Sequence, residues 1–560
     1  MFFKTTKAKK SEYIQIVESY RENGKPKHRV LFSLGKADVI ANNLSFQKLA
    51  KKLLKLTNAK DKSFNSSKSI MDCSEGELKN WGYKIYRILW EKFELNQLFE
   101  IIQENKNRLK LNIDNTSFLM TVQHLLRPLS KLATYEYQTN FLNYDSVKLN
   151  HLYRCLDILC EKKEEIEKYL FNKNKNLFNM KIDIVFYDVT TFYFESVESD
   201  GIRKNGYSKD GKFNEVQVVL GLLVDTEGRP IGYELFEGNT FDGNTLSKCL
   251  ESLEKKFGIR KVIIVADKGI NGKLNLKLIK ERGYDYIVAA RIKNMPESII
   301  KIMKDETGYK KIYPKEESEK ENNEKSNYIF KYKVIDYKNF YNDKATKTKY
   351  KLDEKLIITY SPTRAEKDKK DRDRLIEKAK KLLENPSQIK VQNKRGGKKY
   401  LKEESTRSKW VLDKSLIEKD SLFDGYYGIQ TSEKKMESTE VINAYHKLWK
   451  IEESFRIMKT TLESRPIFVW TDKRIKGHFV ICFLAFLLER TLEIKLINNK
   501  INISPEKIRK ALNSLSFFMV DVKGEKYLIK NKLDEYASKI LKAFKIPSPK
   551  NITLLKEFNI

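Results

Sequence analysis

The sequence predicts an α/β protein of several parts, built around a central β-β-β-α-β-α-β segment. Three observations predict it. From residue 181, strand-like apolar runs follow one another, first with short turns between them and then with helical stretches. The segment before them is helical by its three-and-four apolar spacing. The chain of 560 residues is also too long for one hydrophobic core.

The elements follow in order. "SEYIQIVESYRENGKPKHRVLFSLG" is two alternating runs about a turn, a hairpin signal. A polar stretch covers residues 58–73. From about Glu75 to Leu170, "YKIYRILWEKFELNQLFEII" and "SFLMTVQHLLRPLSKLA" carry helical periodicity. Residues 1–175 therefore read as a mainly helical N-terminal region with a β-hairpin. "IDIVFYDVTTFYFES", "EVQVVLGLLVD" and "PIGYELFEG" then form an antiparallel meander. "NTLSKCLESLEKKFG" is a helix, "KVIIVAD" a strand, "KLNLKLIKERG" a helix and "YDYIVAAR" a strand. Continuous apolar strands separated by helices argue for parallel neighbours covered on both faces. This is the order of a ribonuclease H-like core, with its first part at 176–293. Residues 294–425 are highly charged but keep β runs, which reads as an inserted, partly β module. The second part of the core falls at 426–500, and 501–560 reads as a C-terminal helical region.

Lys+Arg total 109 against 76 Asp+Glu, a formal net charge of +33. Charge on that scale points to a polyanionic partner, nucleic acid first. A Lys-, Asn- and Ile-rich composition is also what an A+T-rich genome writes. Cys73, Cys155, Cys160, Cys249 and Cys482 form no CxxC pair, and His28, His124, His151, His446 and His478 are read as not clustering with them. That argues against a zinc site and against a disulfide framework. "MFFKTTKAKK" lacks the apolar core of a signal peptide, and the longest apolar run, Phe479 to Leu488, is about half a bilayer span. A cytoplasmic protein without membrane segments is expected, with that run forming a buried helix.

Three carboxylates stand out. Asp188 interrupts an apolar strand, where an unpaired charge would be very costly. Asp267 ends "KVIIVAD" on the neighbouring strand of the expected order, so the two can reach one spot. Each alone has an ordinary reading: a strand-end residue bonded to Thr190 or Thr191, and a turn cap helped by Gly269. In "TEVINAYHKLWKIEESFRIMKT" the stripe Tyr445, Leu448, Glu452, Phe455, Lys459 advances by 3, 4, 3 and 4. This puts Glu452 on the core-facing stripe, with Glu453 turned away beside Trp449 and Arg456. Glu452 then needs a cation, either Lys459 or a metal shared with the two aspartates. Three carboxylates without His or Cys suit two Mg²⁺ or Mn²⁺ ions, the pair that activates a nucleophile and stabilises the leaving oxygen of a phosphodiester.

On these residues the chain resembles the DDE transposases of bacterial insertion sequences, in the IS4-like group, IS1634 type. "YDVTTFYFES" and "VIIVADKGI" look like the segments around the first two acidic residues. "YHKLWKIEESFRIMKT" is similar to the Y-x2-R-x3-E-x6-K signature. Tyr445, Glu452 and Lys459 match it, whereas Leu448 stands at the arginine position. "RPIFVWTDKRIKGHFVICFLAFLLER" and the N-terminal hairpin resemble further family segments. The resemblance implies Asp188, Asp267 and Glu452 as catalytic metal ligands, with a β-rich insertion before the last. It implies phosphate contacts by Tyr445 and Lys459, with Lys447 or Arg456 replacing the missing arginine. It also implies double-stranded transposon-end and target DNA as partners, a homodimeric synapse, and a nucleoid-associated bacterial protein that cleaves and transfers strands. A haloacid-dehalogenase-type phosphatase is set aside because Thr190 stands where that motif needs a second Asp. A DNA-binding regulator that binds ends without cutting is the alternative from another class.

Overall fold

The computed structural model describes residues 2–558, apart from 9–10, 23–24, 58–76, 106–109, 179–182, 208–213, 314–328, 343–348, 385–388, 390–395, 405–408, 463–466 and 523. The polar stretch at 58–73 and the charged run "KEESEKENNEKSN" lie outside them.

The expected hairpin gains a third strand. β1 (Phe2–Ala8) pairs antiparallel with β2 (Ser11–Glu22), which pairs with β3 (Lys25–Lys36). β4 (Glu77–Asn80) precedes a run of helices from Tyr83 to Phe178. Their apolar faces, including Trp90, Phe99, Phe118 and Leu156, share one core with Phe479, Phe483 and Leu487 of the long Asp472–Asn498 helix. That helix is buried along almost its whole apolar run, as its composition requires. No helix among the described residues is long and apolar enough to cross a membrane.

The central meander is β5 (Ile184–Tyr193), β6 (Gln217–Val224) and β7 (Pro230–Glu237), all antiparallel. β8 (Ile263–Ala266) lies parallel to β5, and β9 (Asp285–Ala289) parallel to β8. The order β7-β6-β5-β8-β9 is that of a ribonuclease H fold. Burial explains the uniformly apolar strands, since every residue of β6 is inside. Side-chain alternation divides the sheet cleanly. Val185, Tyr187, Val189, Ile264 and Ala266 face the Leu246–Lys255 and Lys273–Glu281 helices. Phe186, Phe192 and Val265 face the other way, toward Ile451, Phe455 and Phe479.

Beyond β9 the sheet continues. β10 (Lys310–Ile312), β11 (Phe330–Asn342) and β12 (Lys349–Tyr360) are antiparallel neighbours. The Pro362–Glu384 helix follows, then the β13 (Leu401–Glu404) and β14 (Lys409–Leu412) ribbon. These pack round a small core that includes Ala379, Leu382 and Tyr400. β15 (Tyr426–Thr431) then bridges β12 to β9 and makes nine strands.

The expectation of a helical C-terminal region at 501–560 is corrected: strands and helices share it. β16 (Ser516–Val522), β17 (Glu525–Lys530) and β18 (Ile552–Leu554) join β4 in a four-stranded sheet beside the Pro505–Ser514 and Glu535–Ala543 helices. The turn is the reason. Val522 pairs with Glu525 across Gly524, whose φ of +79° suits glycine far better than a residue with a Cβ.

Candidate functional site

Asp188 and Asp267 meet through strand register. Tyr187 pairs with Ala266 across the parallel β5–β8 ladder, so the next residue on each side is an aspartate. Alternation gives both the face of Phe186 and Val265, away from the Tyr187 and Ala266 side. Both are half-buried. Each spends Oδ1 on a backbone N–H: Asp188 accepts from Val189 at 2.7 Å and Asp267 from Gly269 at 2.7 Å. The Asp267 turn is thus the Asx-like turn expected with Gly269. Asp188 takes one local bond from the Val189 amide.

The helix bearing the third carboxylate is not one continuous helix. It runs as Ser438–His446, Trp449–Arg456 and a π-turn at Ile457–Thr461. Between the first two, Leu448 N–H donates to Tyr445 and Lys450 N–H to Lys447, i to i−3 bonds that tighten the chain. Leu448 and Phe455 are buried as the stripe predicts, but Glu452 is exposed. That corrects its placement on the core-facing stripe, and the physical reason is partnership. The glutamate turned inward is Glu453, which bonds the buried Arg490.

Tyr445 ties the pieces together. Its hydroxyl bonds that of Tyr427 on β15, with the rings 5.5 Å apart. Burial chiefly pushes the Tyr445 phenol up; Tyr427 and then the charges of Asp267 and Glu452 add to it. Burial also raises Tyr427, and the same two carboxylates push the same way. Asp267 and Glu452, 185 residues apart in the chain, therefore act on one tyrosine pair. The Arg364 guanidinium lies 4.9 Å over the Tyr427 ring. Lys459 is half-buried, its ammonium 5.8 Å from the ring of Phe192, four residues beyond Asp188 on β5. Lys447 and Arg456 are exposed, and Arg456 lies 3.7 Å from Glu453. A cleft of about 280 Å³ opens beside Tyr427, with Lys268, Lys293, Arg364 and Arg372 among its lining.

Sequence reasoning missed Tyr427, Arg364 and Arg490. Only Arg490 left a signal, as a charge beside Glu489 and Glu493 in an apolar helix. Among the described residues, the three carboxylates do not all lie within 4.8 Å of one another. A different set does: His124, His478 and Cys482, all buried. The reading that histidines and cysteines do not cluster fails: His478 and Cys482 stand four residues apart on one helix, and helix packing brings His124 to them from more than 350 residues away.

The family model described as the transposase DDE domain matches residues 179–488. The model of the IS1634 family transposase N-terminal domain matches residues 3–63. No curated protein matches. Among solved structures, the piggyBac transposase synaptic complex with hairpin DNA is 8% identical, with 79% of this chain and 82% of that chain covered at a TM-score of 0.33. The Mos1 transposase paired-end complex with left transposon end is 11% identical, covering 44% and 68% at 0.15.

Proposed function

Because the chain belongs to the DDE transposases of the IS1634 type, we propose that it binds the terminal inverted repeats of an insertion sequence and cleaves and transfers their strands. The observation that carries this reading is the in-register step from Tyr187–Ala266 to Asp188 and Asp267.

Asp188, Asp267 and Glu452 would hold two Mg²⁺ or Mn²⁺ ions. The donor set fits, being all carboxylate oxygen, which hard divalent cations prefer. Ions roughly 4 Å apart also tolerate carboxylates too spread for a single cation. When bound, the ions supply activation of a water or 3′-hydroxyl and charge stabilisation at the scissile phosphate. The chain's own residues do the rest. The backbone amides of Val189 and Gly269 orient the two aspartates. The Tyr445–Tyr427 pair sets a phenol beside Asp267 and Glu452, within reach of a phosphate at the site. Lys459, held against Phe192, adds positive charge on the same side of the sheet. Lys447 or Arg456, both exposed, replaces the signature arginine absent at Leu448 in gripping end DNA.

Residues 1–175 recognise the ends, 294–425 form the inserted module, and two copies pair the ends before joining them to target DNA. The net charge of +33 supplies the phosphate affinity. Incubating the full chain with its end duplex and Mg²⁺ tests the reading: metal-dependent nicking at the element boundary supports it. End binding without nicking under Mg²⁺ and Mn²⁺ would instead favour the regulator.

A further inference from the structure

We propose that His124, His478 and Cys482 form a zinc-binding site that staples the Ile113–Leu126 helix to the Asp472–Asn498 helix. The site is separate from the three carboxylates and goes beyond the proposed strand chemistry.

The geometry is that of preformed ligands. His478 and Cys482 lie one helical turn apart on the Asp472–Asn498 helix, their Nε2 and Sγ 3.5 Å from each other. With zinc–sulfur near 2.3 Å and zinc–nitrogen near 2.0–2.1 Å, a tetrahedral edge between such ligands is about 3.5 Å. His124 comes from the facing helix, its ring centroid 5.2 Å from that of His478. Its Nδ1 lies 3.2 Å from the Leu462 carbonyl. That bond leaves Nε2 as the lone-pair nitrogen, the arrangement by which metal-binding histidines are usually oriented. Nε2 is fully enclosed and has no hydrogen-bond partner, a costly condition that a metal would relieve.

Imidazole and thiolate donors select zinc over the hard cations that suit carboxylates. The Leu462 carbonyl that orients His124 directly follows the π-turn carrying Lys459. A bound ion would therefore lock the N-terminal helices to that turn.

The test uses the full chain purified without chelators. One zinc per chain by elemental analysis is expected, with a thiolate-to-cobalt charge-transfer band after exchange with Co²⁺. Cys482→Ser and His124→Gln should each lose the band. Cys155→Ser, on a neighbouring buried thiol, and Asp267→Asn, at the acidic site, should keep it. Chelation should lower the melting temperature of the unaltered chain by several degrees. The unaltered chain decides the matter even if a variant misfolds. Folded protein that retains no zinc after loading and desalting, and gives no thiolate-to-cobalt band, would overturn the proposal. So would a band that survives in a folded Cys482→Ser chain.

Discussion

Arg490 sets two guanidinium nitrogens, each at 3.1 Å, on one carboxylate oxygen of Glu453. Glu493 holds the same guanidinium from its own helix at 2.9 Å. The pair clamps the Trp449–Arg456 helix to the buried Asp472–Asn498 helix, and so fixes the direction in which the next-door Glu452 points.

Removing that clamp should cost stability more than chemistry. Glu453→Ala leaves Arg490 buried with one carboxylate fewer, so a loss of about 1–3 kcal/mol is expected. Thermal melting should drop by several degrees, while strand cleavage at a permissive temperature persists. An unaltered melting curve would remove the clamp from the account.

The three carboxylates should behave in the opposite way. Asp188→Ala, Asp267→Ala and Glu452→Ala are each expected to abolish nicking and to leave end binding within a few-fold. Affinity comes from many phosphate contacts spread over the surface, whereas the metals depend on these three side chains. Gel-shift and cleavage assays on the same preparations would show it. A fully active Glu452→Ala would displace the third ligand to another residue.

Lys459 separates grip from packing. Lys459 sets its ammonium 5.8 Å from the Phe192 ring, and methionine keeps an unbranched chain of similar length there, so Lys459→Met should melt close to the unaltered chain. If its charge acts on phosphate, single-turnover cleavage should slow by roughly 10²-fold. An unstable variant with normal cleavage would assign Lys459 to structure alone.

The acidic cluster of the long helix predicts a pH dependence. Burial, and then Glu493, pushes the Glu489 carboxyl up to about 8, and burial raises Glu493 as well. A group whose folded value is raised contributes stability that is intact below the ordinary carboxylate range and is lost as pH rises through the folded value. The melting temperature should therefore fall as pH climbs from about 5 to about 8. Glu489→Gln keeps an acceptor for the Tyr86 hydroxyl, which bonds Glu489, and should flatten that slope. Identical slopes in both proteins would exclude Glu489 as the source.

What the sequence by itself determined is whatever depends on period and order. Alternation and apolar runs marked β5 to β9 and the helices between them, because strands buried on both faces leave a continuous signature. The order of those elements made β5 and β8 neighbours and so brought Asp188 to Asp267. The tertiary structure alone decided the rest. A tight turn at Lys447–Leu448 and the pull of Arg490 turned Glu453 inward and left Glu452 exposed, against a helical stripe that assumes one unbroken helix. The Tyr445–Tyr427 bond joins two elements that no local pattern relates. The C-terminal sheet needed residues 77–80 as a partner from the far end of the chain. His124 met His478 and Cys482 only because two apolar helices pack side by side. Periodicity is a property of a segment, whereas partnership depends on which segments burial brings into contact.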